Sequence, residues 1–151
     1  MTGESASEDD GNEPYLPAGL PAPEVTTLDR PYWEAARDGR LAVQVCGRCA
    51  KAQWPPEEIC SNCHSVEREW VDASGKGIIF SWTRIWHAVH PALREHGPYL
   101  VVVVKLDDYP LLMIGNLLGE PHQLVDIGMA VEVVFEDRAD GHTLVQWRQT
   151  S

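Results

Sequence analysis

Four cysteines carry the clearest chemistry in this sequence. Cys46, Cys49, Cys60 and Cys63 spell C-x2-C-x10-C-x2-C and are the whole cysteine content of the 151-residue chain. Two residues between paired cysteines let one tight turn aim both sulfurs at a common point. Four thiolates at ~2.3 Å then complete the tetrahedron that zinc accepts without geometric penalty. Two disulfides, or four unrelated core thiols, would use the same residues, but two CxxC units with nothing left over are the arithmetic of a metal site. Zinc is the expected ion; iron in a rubredoxin-like site is the alternative, because tetrahedral four-sulfur sites suit both metals. Four protein thiolates leave no open position for water or substrate, so the ion is expected to be structural. Gly47 and Asn62 sit inside the two turns, where tolerance of positive φ is useful. His64, beside Cys63, reads as a surface residue rather than a substitute ligand.

Other reactive residues do not assemble into a catalytic motif. The chain has no nucleophile elbow, no glycine-rich phosphate loop and no HExxH. His87, His90 and His96 share one connection and could form an acid/base or second metal site. Nothing beside them supplies further ligands, so they read as solvated loop histidines. Phe80, Trp82, Arg84 and Trp86 fall at even spacing in a strand, hence on one expected face. An arginine on an apolar face needs a partner. That mixture suggests a barrel mouth or a subunit interface rather than a sealed core.

The elements that position these residues can be read from patterning. The segment Asp29–Gly39 predicts a short helix, with Pro31 in its first turn and Gly39 as its stop; Tyr32, Trp33 and Ala36 form an apolar edge that either covers the chain's own core or meets a partner. Leu41 to Val45 alternates as a strand leading into the first cysteine pair. Beyond the second pair the pattern is all-β, with candidate strands Glu69–Asp72, Gly77–Trp86, Tyr99–Leu106, Leu111–Leu118, Val131–Glu136 and Thr143–Arg148. Asp140-Gly141 marks a hairpin. About five principal strands with a long first one suit a small closed barrel such as the OB-fold.

Charge limits the partners. Net charge is −11, from 23 acidic and 12 basic side chains. Glu4, Glu8, Asp9, Asp10, Glu13 and Glu24 open the chain without an intervening Lys or Arg, so residues 1–28 are expected to be an acidic, disordered tail. A polyanion is repelled by this balance, which makes nucleic acid an unlikely partner. No apolar run is long enough to cross a bilayer, and no signal peptide is visible. A cytoplasmic protein with reduced cysteines is expected.

Taken in order, the short motifs resemble the zinc-ribbon/OB-fold family of acyl-CoA-associated proteins, long known as a domain of unknown function. They are Pro31-Tyr32-Trp33-Glu34, Gly39-Arg40-Leu41, Cys46-Gly47-Arg48-Cys49, Trp54-Pro55-Pro56, Cys60-Ser61-Asn62-Cys63, Glu69-Trp70-Val71, Ser74-Gly75-Lys76-Gly77, Ser81-Trp82-Thr83, and Ile127-Gly128-Met129 before Val131-Glu132-Val133. The resemblance spans residues 29 to about 147. It implies a mainly β chain with an N-terminal helix (29–40), a rubredoxin-like zinc ribbon (41–70) and a C-terminal OB-fold barrel (71–151), with the family's zinc ligands falling on the four cysteines. It also implies a non-catalytic accessory or scaffold subunit in a hetero-oligomer with a thiolase-like enzyme or an acyl-CoA hydratase. A retro-aldolase of steroid side-chain degradation is one such enzyme. Independently of the resemblance, an aromatic such as Trp82 beside Arg84 could stack a base, of nucleic acid or of the adenine in CoA; the acidic balance fits CoA better, with Lys76, Arg84 and Lys105 to meet its phosphates. A single-stranded nucleic-acid binder, or a self-sufficient acyl-CoA hydrolase or lyase using the histidine loop, are the competing expectations.

Overall fold

The computed structural model describes residues 14–150. Its one α-helix, α1, covers Arg30–Arg37 with Asp29 at the N-cap and Pro31 in the first turn. It ends on Gly39, at φ +76°, with Gly39 N donating to Ala36 O and Arg40 N to Ala35 O. That pair of bonds satisfies the last carbonyls and needs a left-handed residue, which glycine adopts at no steric cost. Tyr32, Ala35 and Ala36 are buried, so the helix's apolar edge covers the chain's own core.

Strands β1 (Leu41–Cys46), β2 (Ala52–Gln53) and β3 (Arg68–Ala73) form an antiparallel sheet in the order β2-β1-β3. The buried Gln44 pins its outer loop: its amide donates to Glu57 O, and its oxygen accepts from Glu57 N and Gln53 Nε2. Every polar atom of that buried amide is used, as burial requires.

The second sheet orders β6-β5-β4-β7-β8, where β4 is Lys76–Ile85, β5 Tyr99–Leu106, β6 Leu112–Asn116, β7 Ala130–Asp137 and β8 Thr143–Gln149. Its edges meet through a parallel bridge between Leu117 and Trp147, with Leu118 N donating to Trp147 O. Side chains complete the seam: Asn116 N donates to Gln146 Oε1, and Gln146 Nε2 to Asn116 Oδ1. The five strands therefore make a nearly closed barrel, the OB-fold expected from the strand count. Ile79, Leu100, Val102, Val104, Leu117 and Trp147 fill it at 0% exposure. Gly115 makes room for Trp147, whose ring edge would lie 2.9 Å from any Cβ placed there. Tyr32, Leu41, Val43 and Ala52 join the same buried cluster, so helix, ribbon and barrel share one core.

Two expectations shift, and two short elements are new. Strand Glu69–Asp72 exists as part of β3 and pairs wholly with β1, from Leu41↔Ala73 to Cys46↔Arg68, so it belongs to the first sheet rather than to the barrel's. The two-residue β2 and a 3-10 turn at Pro91–Leu93 carry too few residues for a period to register. The expected tail, 1–28, lies outside the described residues up to 13. From 14 to 28 it has no helix or strand, yet it packs on the barrel. Tyr15 N donates to Glu136 Oε2, Tyr15 OH accepts from Leu100 N, and Leu20 O accepts from Arg138. The aromatic ring of Tyr15 anchors what the charge pattern alone would leave free. No described helix is long and apolar enough to cross a membrane.

Candidate functional site

The two cysteine turns are built alike. Ala50 N donates to Cys46 O and His64 N to Cys60 O, while Cys46 N and Cys60 N donate to Lys51 O and Ser65 O. In each turn the backbone N–H two residues past the first cysteine (Arg48, Asn62) donates to that cysteine's sulfur at 3.4 Å. Positive φ falls on Ala50 and His64, one residue beyond each second cysteine, not on Gly47 or Asn62. Gly47 is needed for another reason: its N–H bonds to Glu67 O, and a Cβ there would come within 3.2 Å of the Glu67 Cβ. His64 is exposed, outside the sulfur cluster.

The four Sγ atoms lie within 4.8 Å of one another, with Cys46···Cys63 at 3.5 Å and Cys49···Cys60 at 3.6 Å. Those separations are far beyond a disulfide bond and match the ~3.8 Å edges of a tetrahedron with ~2.3 Å metal–sulfur bonds. Electrostatics points the same way. Asn62 Nδ2, 3.6 Å from the Cys49 sulfur, and the Lys51 amide lower the Cys49 thiol to about 6. Cys63 is pushed up to about 11: the Ser65 amide favours its thiolate, but burial and the three neighbouring sulfurs outweigh that bond. Thiols so close cannot all ionise unless a cation balances them. The residues present fit a zinc ion, which would draw all four ligands from the chain and hold shape without offering an open position.

No comparable convergence occurs among the histidines. His90 Nδ1 accepts from Ala92 N to cap the Pro91–Leu93 turn, His96 Nε2 bonds to Tyr15 O at 2.8 Å, and His87 is exposed. Among the described residues, the cysteines are the one group of three or more His, Cys, Asp or Glu placed to share a metal.

The barrel mouth rearranges the aromatic stripe. A β-bulge between Ile79 and Ser81 shifts the ladder by one residue, so Phe80 turns outward at 51% exposure while Trp82 and Arg84 turn in. The expected single face is thereby split, because an extra residue in a strand reverses the side-chain alternation after it. Trp86 is exposed and tilts against His122 at 5.6 Å. Arg84 lies 5.5 Å from the Trp82 ring and donates to two backbone carbonyls, Pro121 O at 2.8 Å and Gln123 O at 2.7 Å. The partner that an inward arginine requires is thus the connection between β6 and β7. Lys76 and Lys105 sit at the other end of the barrel, where Ile78 pairs with Lys105. Eight residues along β4 separate Lys76 from Arg84, about 26 Å at ~3.3 Å per residue.

Residues 33–67 match a family model described as "ChsH2, rubredoxin-like zinc ribbon domain", and residues 70–136 one described as "ChsH2, C-terminal OB-fold domain". Among solved structures, a chain of the "Ltp2-ChsH2(DUF35) aldolase" superimposes with TM-score 0.76 at 30% identity, covering 85% of this chain and 98% of that one. The "probable enoyl-CoA hydratase alpha subunit" of Thermomonospora curvata is 36% identical over 104 residues. That match takes in 68% of this chain and 32% of that protein, so the chain spans about a third of its length. A "DUF35 domain-containing scaffold protein" of Pyrococcus furiosus is 28% identical over 105 residues, 68% of this chain and 74% of that one.

Proposed function

This chain belongs to the ChsH2 family of DUF35 zinc-ribbon/OB-fold proteins, and on that premise we propose that it is the accessory, scaffolding subunit of a thiolase-like acyl-CoA enzyme. The observation that carries the reading is its likeness to nearly the whole ChsH2(DUF35) chain of an aldolase complex. The names of the other relatives, a scaffold protein and a hydratase subunit, agree with it. Cys46, Cys49, Cys60 and Cys63 are assigned to one structural zinc that stabilises the ribbon and takes no part in bond-making. A retro-aldolase acting on the steroid side chain, in the cytoplasm, is the specific enzyme this reading favours.

Acyl-CoA would be contacted at the barrel mouth. Trp82 offers a half-buried ring, and Arg84 a guanidinium already oriented by two carbonyls. Lys76 and Lys105, at the opposite end, would meet a different part of the ligand or of the partner. Binding by Trp82→Leu and Arg84→Gln variants, measured by calorimetry on the assembled complex, tests that assignment.

The main test is assembly and activity together. The isolated chain is expected to show no turnover of acyl-CoA thioesters, and to form a stable complex with the thiolase-like subunit of its host on size-exclusion chromatography. Substantial turnover by the chain alone overturns the proposal, as does a failure to assemble.

A further inference from the structure

The outer face of β4, β5 and β6 departs from the usual polar exterior of a barrel. The ladder sets Ile78 beside Lys105, and Lys105 beside Leu112. In the next row Val103 lies between Ser81, the residue just after the bulged Phe80, and Ile114. Gly128 N donates to Ile79 O, and Ile79 N to Met129 O, which brings Ile127 alongside Phe80. Ile114 is 72% exposed, Ile127 73%, Phe80 51%, Leu112 44% and Ile78 39%. Helix α1 packs on β1, β7 and β8, so neither it nor the ribbon covers this face.

These five residues together expose on the order of 500 Å², most of it apolar, which is the size of the largest patch a typical monomer shows and is often functional. A standard interface buries about 800 Å² per partner, some 60% of it apolar, so the patch supplies the apolar content of one side of such an interface. Its charge is equally informative. Lys105 is the one ionic side chain in the paired rows, and Asp126 stands at the rim beside Ile127. Those two rows hold no carboxylate, in a chain whose acids outnumber its bases 23 to 12; Asp107, the next outward residue of β5, bounds them on the Lys76 side. A second copy would bring another net charge of −11 and would set Lys105 near its own counterpart, so self-pairing is disfavoured.

We infer that this face, centred on Phe80 and Ile114, is the docking surface for the enzymatic subunit, which meets it with an apolar patch carrying a carboxylate opposite Lys105. The inference rests on the accessory-subunit reading and names where its partner sits. The bulge supports it by turning Phe80 outward at the centre of the patch, since large aromatic anchors dominate binding energy.

The experiment measures calorimetric affinity between the full chain and the recombinant thiolase-like subunit of the same host. Phe80→Asp and Ile114→Asp are expected to weaken binding about a hundredfold, and the milder Ile114→Thr, which keeps the β-branched shape, about tenfold. Lys105→Glu is expected to weaken it by slowing association in low salt. Val66→Asp, on an exposed ribbon position, is the control expected to change nothing. Zinc content and circular dichroism must match the parent chain for each variant. Wild-type binding with the Asp variants within threefold overturns this surface and leaves the accessory reading standing. No binding by the wild type overturns the accessory reading itself, and the surface with it. Self-association of the wild-type chain in sedimentation, abolished by Ile114→Asp, replaces the enzymatic partner with a second copy and overturns the inference.

Discussion

The ribbon and the barrel are both small β structures, yet different physics holds them. In the ribbon sheet the buried apolar side chains are modest, Leu41, Ala42, Val43 and Ala52, and its far end is built from turns around four sulfurs. The barrel buries Trp147, Ile79, Leu100 and Leu117 and closes on itself through the Leu117–Trp147 bridge. A fold of some thirty residues cannot bury enough surface to offset its chain entropy, so a metal must supply the remainder. The barrel needs no such aid. The two regions should therefore fail separately, under different insults, although they share a core.

Removing the metal is the strongest way to break that comparison. Structural zinc contributes about 10–16 kcal/mol in small zinc-finger peptides. Chelation, or Cys49→Ser, is expected to erase hydrogen-exchange protection across β1–β3 while β5 keeps its own. Loss of protection in β5 at the same chelator concentration would show that the barrel leans on the ribbon. Lowering the pH should weaken zinc binding before it weakens the barrel, because the ligands must be deprotonated.

The converse insult is smaller. Trp147→Ala leaves a cavity at the barrel's centre and should cost about 3–5 kcal/mol by urea denaturation. Zinc stoichiometry is expected to be unchanged; a loss of metal would mean the ribbon turns depend on barrel packing. Smaller still is Arg84→Met. It removes two charge-assisted bonds from a half-buried group, about 1–3 kcal/mol before solvent screening is discounted. The expected signature is local: faster exchange at residues 118–125, with the ribbon and strand β5 unmoved.

What the sequence made legible followed from how far each signal travels along the chain. The cysteine spacing, the helix with its Pro31 start and Gly39 stop, and strand Tyr99–Leu106 rest on neighbours a few residues apart. The alternation in β5 survives intact, from half-buried Tyr99 to buried Leu106. What was not legible depends on distant partners. Arg84 is satisfied by backbone carbonyls 37 and 39 residues away, which no side-chain pattern encodes. The bulge that turns Phe80 outward is set by its pairing with β5, and strict alternation read through it. Tyr15, 85 residues from the Leu100 amide it accepts from, looked like part of a polar tail. The sulfur cluster was the reverse case: its ligands were clear, while the residues needing positive φ, Ala50 and His64, were not, since neither type advertises that conformation.

Strand β3 sets the spacing between the two regions while both are folded. It begins opposite Cys46, one residue from the Gly47–Glu67 bond, and runs without a break to Ala73, two residues before Gly75 accepts from Val133 N of the barrel. Six residues at ~3.3 Å make a strut about 20 Å long, clamped at one end by the metal turns and at the other by β7. Such a strut fixes phase as well as distance: deleting one residue from it would rotate the cysteine turns to the opposite face of the sheet relative to the barrel. A fragment cut at residue 70 would leave β1 with half a mate and the barrel with a fraying leader.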